Sequence, residues 1–302
     1  MRIEPVIVIG AGPAGLATAI QLKRYGIHAR VLERDQIGGL LRNANWVENY
    51  PGFPRGIRGV DLVRLFVEQA RAASVEVTFD EVTELHHEDG LFRVVTRSRA
   101  HYAPVVAIAS GTKPITLSDT AIPARLRDRV LYEVCPLAHM EDRRVAVIGA
   151  GDAAFDYALN LSRRNDVLIL NRGEKTRCLP LLRERANACA RIAYRDRTRL
   201  IELAEGPDGG LLIACESPQG ISRIEVDYLI AAIGRVPQLD FVSPSALRDW
   251  ETGGQLYQVG DVKNQLFRQT AIAVGNGILA AMRIGSQLDS ATEAQSHREL
   301  RP

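Results

Sequence analysis

Cysteines are scarce in this sequence, and no two of them are close together. The 302 residues include four, Cys135, Cys178, Cys189 and Cys215, and the nearest two lie eleven positions apart. This spacing contains no CxxC pair and none of the cysteine arrangements typical of zinc sites. The N-terminal residues enter an apolar run at once, without the pattern of a signal peptide, so structural disulfides are not expected either.

Long hydrophobic runs and a large excess of one charge are also absent. No apolar run approaches the roughly 18 residues that cross a bilayer, and the formal net charge is only +2. These absences argue against a transmembrane protein and against nucleic acid or an anionic membrane as a partner. The composition, 46% hydrophobic and 25% charged, is ordinary for a globular protein. A cytoplasmic protein of about two domains is therefore expected.

The strongest positive signal is an internal repeat. Residues 5–34 and 144–173 each contain a short β-branched apolar run, a G-x-G-x-x-G/A motif, a helical stretch and a second apolar run. In this strand–turn–helix–strand context the motif predicts dinucleotide binding, with the pyrophosphate at the helix N-terminus. The predicted fold is α/β, with two Rossmann-like dinucleotide-binding domains of three-layer ββα/βαβ type.

The two copies differ at the end of their second strand. Glu33 lies 23 residues after Gly10, whereas Arg172 lies 23 residues after Gly149. A carboxylate accepts hydrogen bonds from ribose hydroxyls and repels a 2′-phosphate, while an arginine pairs with that phosphate. With Arg177 as a second cation, the first copy is predicted to bind FAD and the second NADPH, NADH being the alternative nicotinamide.

Further landmarks agree with two domains. Residues 105–114 and 228–237 form a second internal repeat, each with an apolar run followed by a Gly turn and a proline. These segments are predicted to carry the chain from one domain to the other. Residues 86–89, HHED, are interpreted as a hairpin turn rather than a metal site. The polar tail from about Gln287 is expected to be poorly ordered.

Together these motifs resemble the low-molecular-weight thioredoxin reductase family of pyridine nucleotide-disulfide oxidoreductases. Residues 37–62 are similar to the flavin loop of that family, with Asn49 at the flavin, and residues 260–277 to its C-terminal flavin signature. Residues 171–177 resemble its 2′-phosphate motif of His-Arg-Arg and a later Arg, with Asn171 and Gly173 at two of the places.

The resemblance implies a domain plan and a set of site residues. The FAD-binding domain would be split, 1–114 plus 240–302, with the NAD(P)H-binding domain, 115–239, inserted, and the protein would be a homodimer. The candidate FAD residues are Gly10, Gly12, Pro13, Ala14, Gly15, Glu33, Arg34, Gly38, Gly39, Leu40, Asn49, Val82, Ala109, Ser110, Gly111, Gly260, Asp261, Arg268, Gln269 and Thr270. The candidate NADP residues are Gly149, Gly151, Asp152, Ala153, Ala154, Asn171, Arg172, Arg177, Ile233 and Gly234. No metal site is predicted.

The sequence departs from the family at the redox centre. Counted back from Gly149 without gaps, Cys135 falls on the second cysteine of the family's CxxC, Tyr132 on the first, and Pro136 on the acid that follows. A dithiol relay needs two thiols within bonding distance, so direct thioredoxin reduction by that relay is not expected. Ala14 occupies the place of a cysteine found in a subfamily that reduces a low-molecular-weight thiol disulfide.

Three destinations for the electrons stay open. In the first, Cys135 is catalytic and attacks a small or protein-borne disulfide. In the second, electrons pass directly to an iron–sulfur protein or quinone, as in ferredoxin–NADP reductases of this type. Those enzymes usually carry a C-terminal aromatic over the flavin, whereas no aromatic follows Phe267 here. In the third, the protein is a redox sensor or assembly subunit that binds FAD without turnover. The nearly intact second nucleotide motif favours an enzyme.

Overall fold

A computed structural model describes residues 2–118, 120–207 and 209–299. In chain order the first elements are β1 (Val6–Ile9), α1 (Pro13–Arg24), β2 (Ala29–Glu33), α2 (Gly59–Ala72), β3 (Val77–Phe79), β4 (Val82–Glu88), β5 (Leu91–Thr96), β6 (Ala100–Ala103), β7 (Val105–Ile108), β8 (Thr112–Pro114) and β9 (Val130–Leu131). They are followed by β10 (Arg144–Ile148), α3 (Asp152–Leu161), β11 (Asp166–Leu170), α4 (Pro180–Asn187), β12 (Ile192–Arg195), β13 (Arg199–Glu205), β14 (Leu211–Ser217), β15 (Gly220–Val226), β16 (Tyr228–Ala231), β17 (Arg235–Pro237), α5 (Pro244–Thr252), β18 (Leu256–Gln258) and α6 (Thr270–Glu299).

The chain forms two compact units, each with a parallel sheet. The first unit takes the described residues within 1–42, 48–113 and 236–302, and the second takes those within 43–47 and 114–235. The predicted boundaries were 114/115 and 239/240. The structure changes unit at 113/114 and 235/236 instead, within the paired strands β8 and β17.

The first unit has a parallel sheet in the order β18-β7-β1-β2-β3, beside a three-stranded antiparallel sheet of β4, β5 and β6. Every residue of β1 is buried, as expected of a continuous β-branched run covered on both faces. Ile9 is in register with both Leu32 and Ile108. The carboxyl ends of β1, β2 and β7 therefore meet at one edge of the sheet.

The second unit repeats this arrangement. Its parallel sheet has the order β12-β11-β10-β16-β9, beside an antiparallel sheet of β13, β14 and β15. Ile148 is in register with both Leu170 and Ala231, so the carboxyl ends of β10, β11 and β16 also share one edge. Both copies of the sequence repeat thus have the predicted strand–turn–helix–strand structure.

Residues 43–47 belong to the second unit, which the predicted domain plan did not anticipate. Asn43 donates its side-chain amide to the Glu133 carboxylate, and the Asn45 backbone N–H donates to Asp156 Oδ2 at 2.8 Å. The Asn45 side chain in turn accepts from Arg163 at 2.8 Å. These partners are more than 80 positions away in the sequence, and no local pattern marks them.

The last element, α6, extends beyond Gln287 to Glu299. Residues 287–299 contain neither glycine nor proline, the two residues that most disfavour a helix interior. Among the helices of the described chain, none combines the length and the apolar character that crossing a bilayer requires.

Candidate functional site

In the first unit, the β1–α1 turn has the geometry that only glycine tolerates. Gly10 has φ +105°, and a Cβ there would lie 2.4 Å from the Ala109 carbonyl oxygen. A Cβ on Gly15 would lie 1.9 Å from the Gly10 oxygen. A Cβ on Gly39 would lie 3.4 Å from Gly12 Cα, so the flavin loop predicted from the sequence lies against this turn. Four of the predicted FAD glycines thus come together.

Glu33, at the end of β2, is bonded to the same turn. Its Oε2 accepts from the Ala11 backbone N–H at 2.8 Å and its Oε1 from the Asp35 N–H at 3.0 Å. A carboxylate has about four acceptor positions, which leaves lone pairs for ribose hydroxyls. Glu33 therefore orders the glycine turn in addition to the ligand role predicted from the sequence.

An open cleft lies at this edge of the sheet. Five predicted FAD residues line it: Gly10, Glu33, Arg34, Val82 and Ser110. Sequence reasoning missed the other polar lining residues, Asp80, Glu81 and Gln238. Asp80 and Glu81 could have been found, because they directly follow a parallel strand of the sheet, and ligands of such sheets bind at the carboxyl ends of the strands.

The remaining predicted FAD residues lie on segments that meet in the same unit. Pro13 and Ala14 begin α1, and a Cβ on Gly260 would lie 2.7 Å from the Ala14 Cβ. Asn49 donates to Gln269 Oε1 at 2.9 Å, which joins the flavin loop to the start of α6. The others occupy these loops and ends: Gly38 and Leu40 in the flavin loop, Gly111 after β7, Asp261 after β18, and Arg268 and Thr270 at the start of α6. The glycine turn, the carboxylate and the open cleft fit an adenine dinucleotide such as FAD.

In the second unit, the β10–α3 turn repeats the glycine geometry. Gly149 has φ +142°, and a Cβ there would lie 2.4 Å from the Ala232 carbonyl oxygen. Around Gly151 no atom lies within 4 Å of the Cβ position, so the backbone at the start of α3 is open to a ligand. The other predicted residues of this turn are Asp152, Ala153 and Ala154 at the start of α3, and Ile233 and Gly234 after β16.

The two arginines predicted to bind the 2′-phosphate lie on one turn after β11. Arg172 and Arg177 are exposed. Within the part of the chain that the structure describes, neither guanidinium has an ion pair or a hydrogen bond. The Arg177 backbone N–H donates to the Ala150 carbonyl at 2.7 Å, which ties this turn to the glycine turn. Open backbone and unpaired cations fit a phosphorylated dinucleotide.

Asn171 was predicted as an NADP residue. Its side chain is only 5% exposed and is bonded to neighbouring groups of the protein.

Cys135 lies at the start of a short 3-10 turn, Cys135–Leu137, in the second unit. None of the four cysteines forms a disulfide. The Cys135 backbone N–H donates to Asn43 Oδ1 at 3.0 Å, and the neighbouring Glu133 carboxylate pairs with Arg235 at 2.8 Å. Tyr132 accepts a hydrogen bond from the Leu117 N–H at 3.3 Å. A network of charged and amide groups therefore holds this segment.

Two titratable residues of α3 lie near this network, Asp156 at Asn45 and Tyr157 near Glu133. Burial raises the pKa of Asp156 to about 6, against the opposing effects of the Asn45 N–H and Arg163. Burial, with the nearby Glu133 carboxylate, also raises the pKa of the Tyr157 hydroxyl. Both groups are thus neutral over a wider pH range than in water.

The HHED segment belongs to a hairpin, but the predicted turn is shorter than expected. His86, His87 and Glu88 are the last residues of β4, and only Asp89, with Gly90, forms the turn to the antiparallel β5. Among the described residues, no group of three or more His, Cys, Asp or Glu side chains is placed to hold a metal ion.

Comparison with known proteins places most of the chain in one group. The profile of the family described as pyridine nucleotide-disulphide oxidoreductase matches residues 4–277. The thioredoxin reductase of Mycolicibacterium smegmatis is 28% identical, covering 93% of this chain and 95% of the relative. That of Streptomyces coelicolor is 30% identical, covering 93% and 92%. The crystal structure of Lactococcus lactis thioredoxin reductase in the FR conformation has a TM-score of 0.83 at 28% identity, covering 93% of this chain and 97% of that one.

Proposed function

Because the chain belongs to the pyridine nucleotide-disulphide oxidoreductase family, we propose that it takes electrons from NADPH through FAD and passes them on without a paired-cysteine centre. It is an oxidoreductase of thioredoxin reductase type. Thioredoxin reductases use FAD and NADPH, so the two cofactors predicted from the sequence are confirmed. A cytoplasmic location is part of the proposal.

The observation that supports this assignment most directly is the charge difference between the two glycine turns. The first has the buried carboxylate of Glu33, which favours a ribose with free hydroxyls. The second has Arg172 and Arg177, exposed on the turn after β11. One unphosphorylated and one phosphorylated dinucleotide would therefore bind to the two units.

Bound FAD would supply two-electron chemistry between the nicotinamide and the acceptor. The protein's own part is to bind and orient. The glycine turns allow pyrophosphates to approach the helix N-termini of α1 and α3. Asn49 and Gln269, bonded to each other, would hold the flavin loop against the start of α6.

The acceptor is the open part of the proposal, and the sequence favours one without a dithiol relay. A thiol attacks a disulfide to form a mixed disulfide, and a second thiol normally expels the product. Tyr132 stands where the first cysteine of the pair would be, with its hydroxyl bonded to the Leu117 N–H. Electrons would then reach the acceptor either through Cys135 alone, with NADPH supplying the two electrons that release its mixed disulfide, or directly.

Anaerobic stopped-flow tests the cofactor assignment. The purified holoprotein is mixed with NADPH or NADH, and the flavin absorbance near 450 nm is followed. We expect rapid bleaching by NADPH and slower bleaching by NADH, with the preference lost in Arg172→Ala/Arg177→Ala. Absence of bleaching by both nucleotides would contradict hydride transfer and favour the sensor alternative.

The variant Cys135→Ser separates the two routes to the acceptor. If Cys135 attacks a disulfide, the variant should keep flavin reduction by NADPH and lose turnover with disulfides such as oxidised thioredoxin or low-molecular-weight thiol disulfides. If electrons leave directly, turnover with an iron–sulfur protein or a quinone should be unchanged. Cys189→Ser, which removes another partly exposed thiol, is the matched control.

A further inference from the structure

The amide of Asn171 uses all its hydrogen-bonding groups to fix the turn that holds Arg172 and Arg177. Its Oδ1 accepts from the Gly173 backbone N–H at 3.0 Å. Its Nδ2 donates to the Lys175 carbonyl at 3.2 Å and to the Tyr194 hydroxyl at 2.9 Å. Because the side chain is only 5% exposed, these bonds are largely protected from competition by water.

The backbone of Asn171 is anchored as well. Its N–H donates to the Arg195 carbonyl at 2.9 Å, and its carbonyl accepts from the buried Thr198 at 2.8 Å. The Arg197 N–H donates to the Gly173 carbonyl at 3.0 Å. The start of the turn is thus fixed to β12 and to the segment after it, while its end is fixed to the glycine turn through Arg177.

Tyr194 is the residue through which β12 holds this amide. Its ring lies 5.9 Å from that of Phe155 on α3, and the Arg183 guanidinium lies 6.0 Å from its centroid. Arg183 also donates to Thr176 Oγ1 at 3.0 Å, inside the same turn. The ring is therefore packed in place, and its hydroxyl is fixed where Asn171 donates to it.

We propose that Asn171 and Tyr194 are positioning residues that set the selectivity of the second site for a 2′-phosphorylated adenosine. This inference rests on the proposed function, since it concerns the ligand of the same site. Neither side chain needs to touch the phosphate. They fix the backbone that carries Arg172 and Arg177. The two arginines therefore lose less conformational entropy when the 2′-phosphate binds.

The test measures binding rather than turnover. Adenosine 2′,5′-bisphosphate and 5′-AMP are titrated by calorimetry into the FAD-loaded protein. The Kd of 5′-AMP divided by the Kd of the 2′,5′-bisphosphate is the ratio that reports recognition of the 2′-phosphate. Tyr194→Phe keeps the ring and removes only the hydroxyl. We expect it to weaken 2′,5′-bisphosphate binding about three- to tenfold, the usual value of one hydrogen bond, with 5′-AMP binding unchanged.

Three further variants make the result specific. Tyr228→Phe, on β16 and three strands away from β12 in the same sheet, removes a tyrosine hydroxyl elsewhere and should leave the ratio unchanged. In an Arg172→Ala/Arg177→Ala background, Tyr194→Phe should have no further effect, because the cations that it positions are gone. Asn171→Leu should lower the ratio more than Tyr194→Phe does, since it removes three bonds.

The other possible results contradict either the positioning role or the assignment of NADPH to this site. Equal weakening of both ligands by Tyr194→Phe, or no weakening of either, would overturn the positioning role while the assignment of NADPH to this site stands. A wild-type protein that binds 5′-AMP as tightly as the 2′,5′-bisphosphate would overturn the NADPH assignment itself, and the positioning role with it.

Discussion

At the scale of single residues, Glu4 is a buried carboxylate among basic side chains. Arg30 donates to its Oε1 at 2.9 and 2.6 Å, while Arg2 and His28 lie at 3.4 Å. Burial raises the pKa of Glu4, but the hydrogen bond and the charge of Arg30 outweigh it, so the net pKa is below its ordinary value. A lowered folded pKa adds stability above the unfolded value of about 4.3, and this stability is lost as pH falls through the folded value.

Glu4→Gln should therefore lower the free energy of unfolding at pH 7 by roughly 3 kcal/mol, because it leaves the partly buried Arg30 without its counter-charge. It should also flatten the fall in stability below about pH 4.3. Urea unfolding from pH 7 to pH 3 checks both. Glu68→Gln breaks the exposed Arg64–Glu68 pair and should change stability by less than about 0.5 kcal/mol. Equal effects of the two changes would contradict the buried-pair argument.

The sequence predicts those site residues whose role depends on their position relative to a nearby motif. Glu33 and Arg172 lie at a fixed distance from their glycines, and the chemistry of ribose and phosphate selects their type, so a single sequence reveals them. The link from Asn171, directly after β11, to Tyr194 on the neighbouring strand β12 is made through one hydroxyl. Only the register of β11 with β12 brings them together, and the sequence does not state that register.

At the scale of elements, the contact between α1 and α6 depends on one glycine. A Cβ on Gly277 would lie 2.3 Å from the Ala14 carbonyl oxygen and 2.9 Å from Thr18 Oγ1. On the same helix, no atom lies within 4 Å of the Cβ position of Gly275. Alanine substitutions at the two positions therefore distinguish the effect of helix–helix contact from the effect of glycine on helix propensity.

Gly277→Ala should lower the free energy of unfolding by roughly 1–3 kcal/mol, because α6 must move away from α1. It should also weaken FAD binding, since Ala14 lies in the first turn after the glycine loop. Gly275→Ala should stabilise the protein by up to about 1 kcal/mol. Thermal unfolding and the flavin absorbance retained after gel filtration measure the two effects. A Gly277→Ala protein with wild-type thermal stability and full flavin absorbance would show that the two helices can move apart without loss of stability or of FAD binding.

The segment 43–47 and helix α3 form a second pair of elements, joined at Asp156. The pKa of about 6 means that folding favours the protonated acid. Stability from this group is present below the unfolded pKa of about 3.9 and is lost as pH rises through about 6. Asp156→Asn keeps an acceptor for the Asn45 N–H without the charge. In the wild type, the free energy of unfolding should fall by about 2–3 kcal/mol between pH 4 and pH 7 because of this group. The variant should lack this fall, which urea unfolding at the two pH values measures. An unchanged pH dependence would place the titration elsewhere.

At the scale of the whole molecule, the α/β fold with two dinucleotide-binding sheets follows from the repeat. Each copy has its strand, turn and helix in one continuous stretch, where local propensity and glycine geometry agree. The membership of residues 43–47 in the second unit does not follow. It depends on hydrogen bonds from Asn43 and Asn45 to residues that lie more than 80 positions further along the chain.

The oligomeric state belongs to this scale too, and a homodimer is predicted. On α6 the apolar side chains Ile278, Leu279 and Met282 are 38%, 48% and 49% exposed. Ile278 also borders an open cleft that α1 and α2 help to line. Exposed apolar side chains grouped in this way commonly mark an interaction site, and a second copy of the chain is the expected occupant.

Replacing both Leu279 and Met282 with lysine should convert the dimer to a monomer, because two charges would have to be buried without partners. Lysine is a good helix former, so α6 itself should persist. Sedimentation velocity at micromolar concentration measures the mass of each species. Ile221→Lys, at a 65% exposed position on β15, is the matched control and should remain dimeric. A wild-type protein that sediments as a 33.2 kDa monomer at these concentrations would contradict the prediction. A double variant that stays dimeric would instead place the interface on another face.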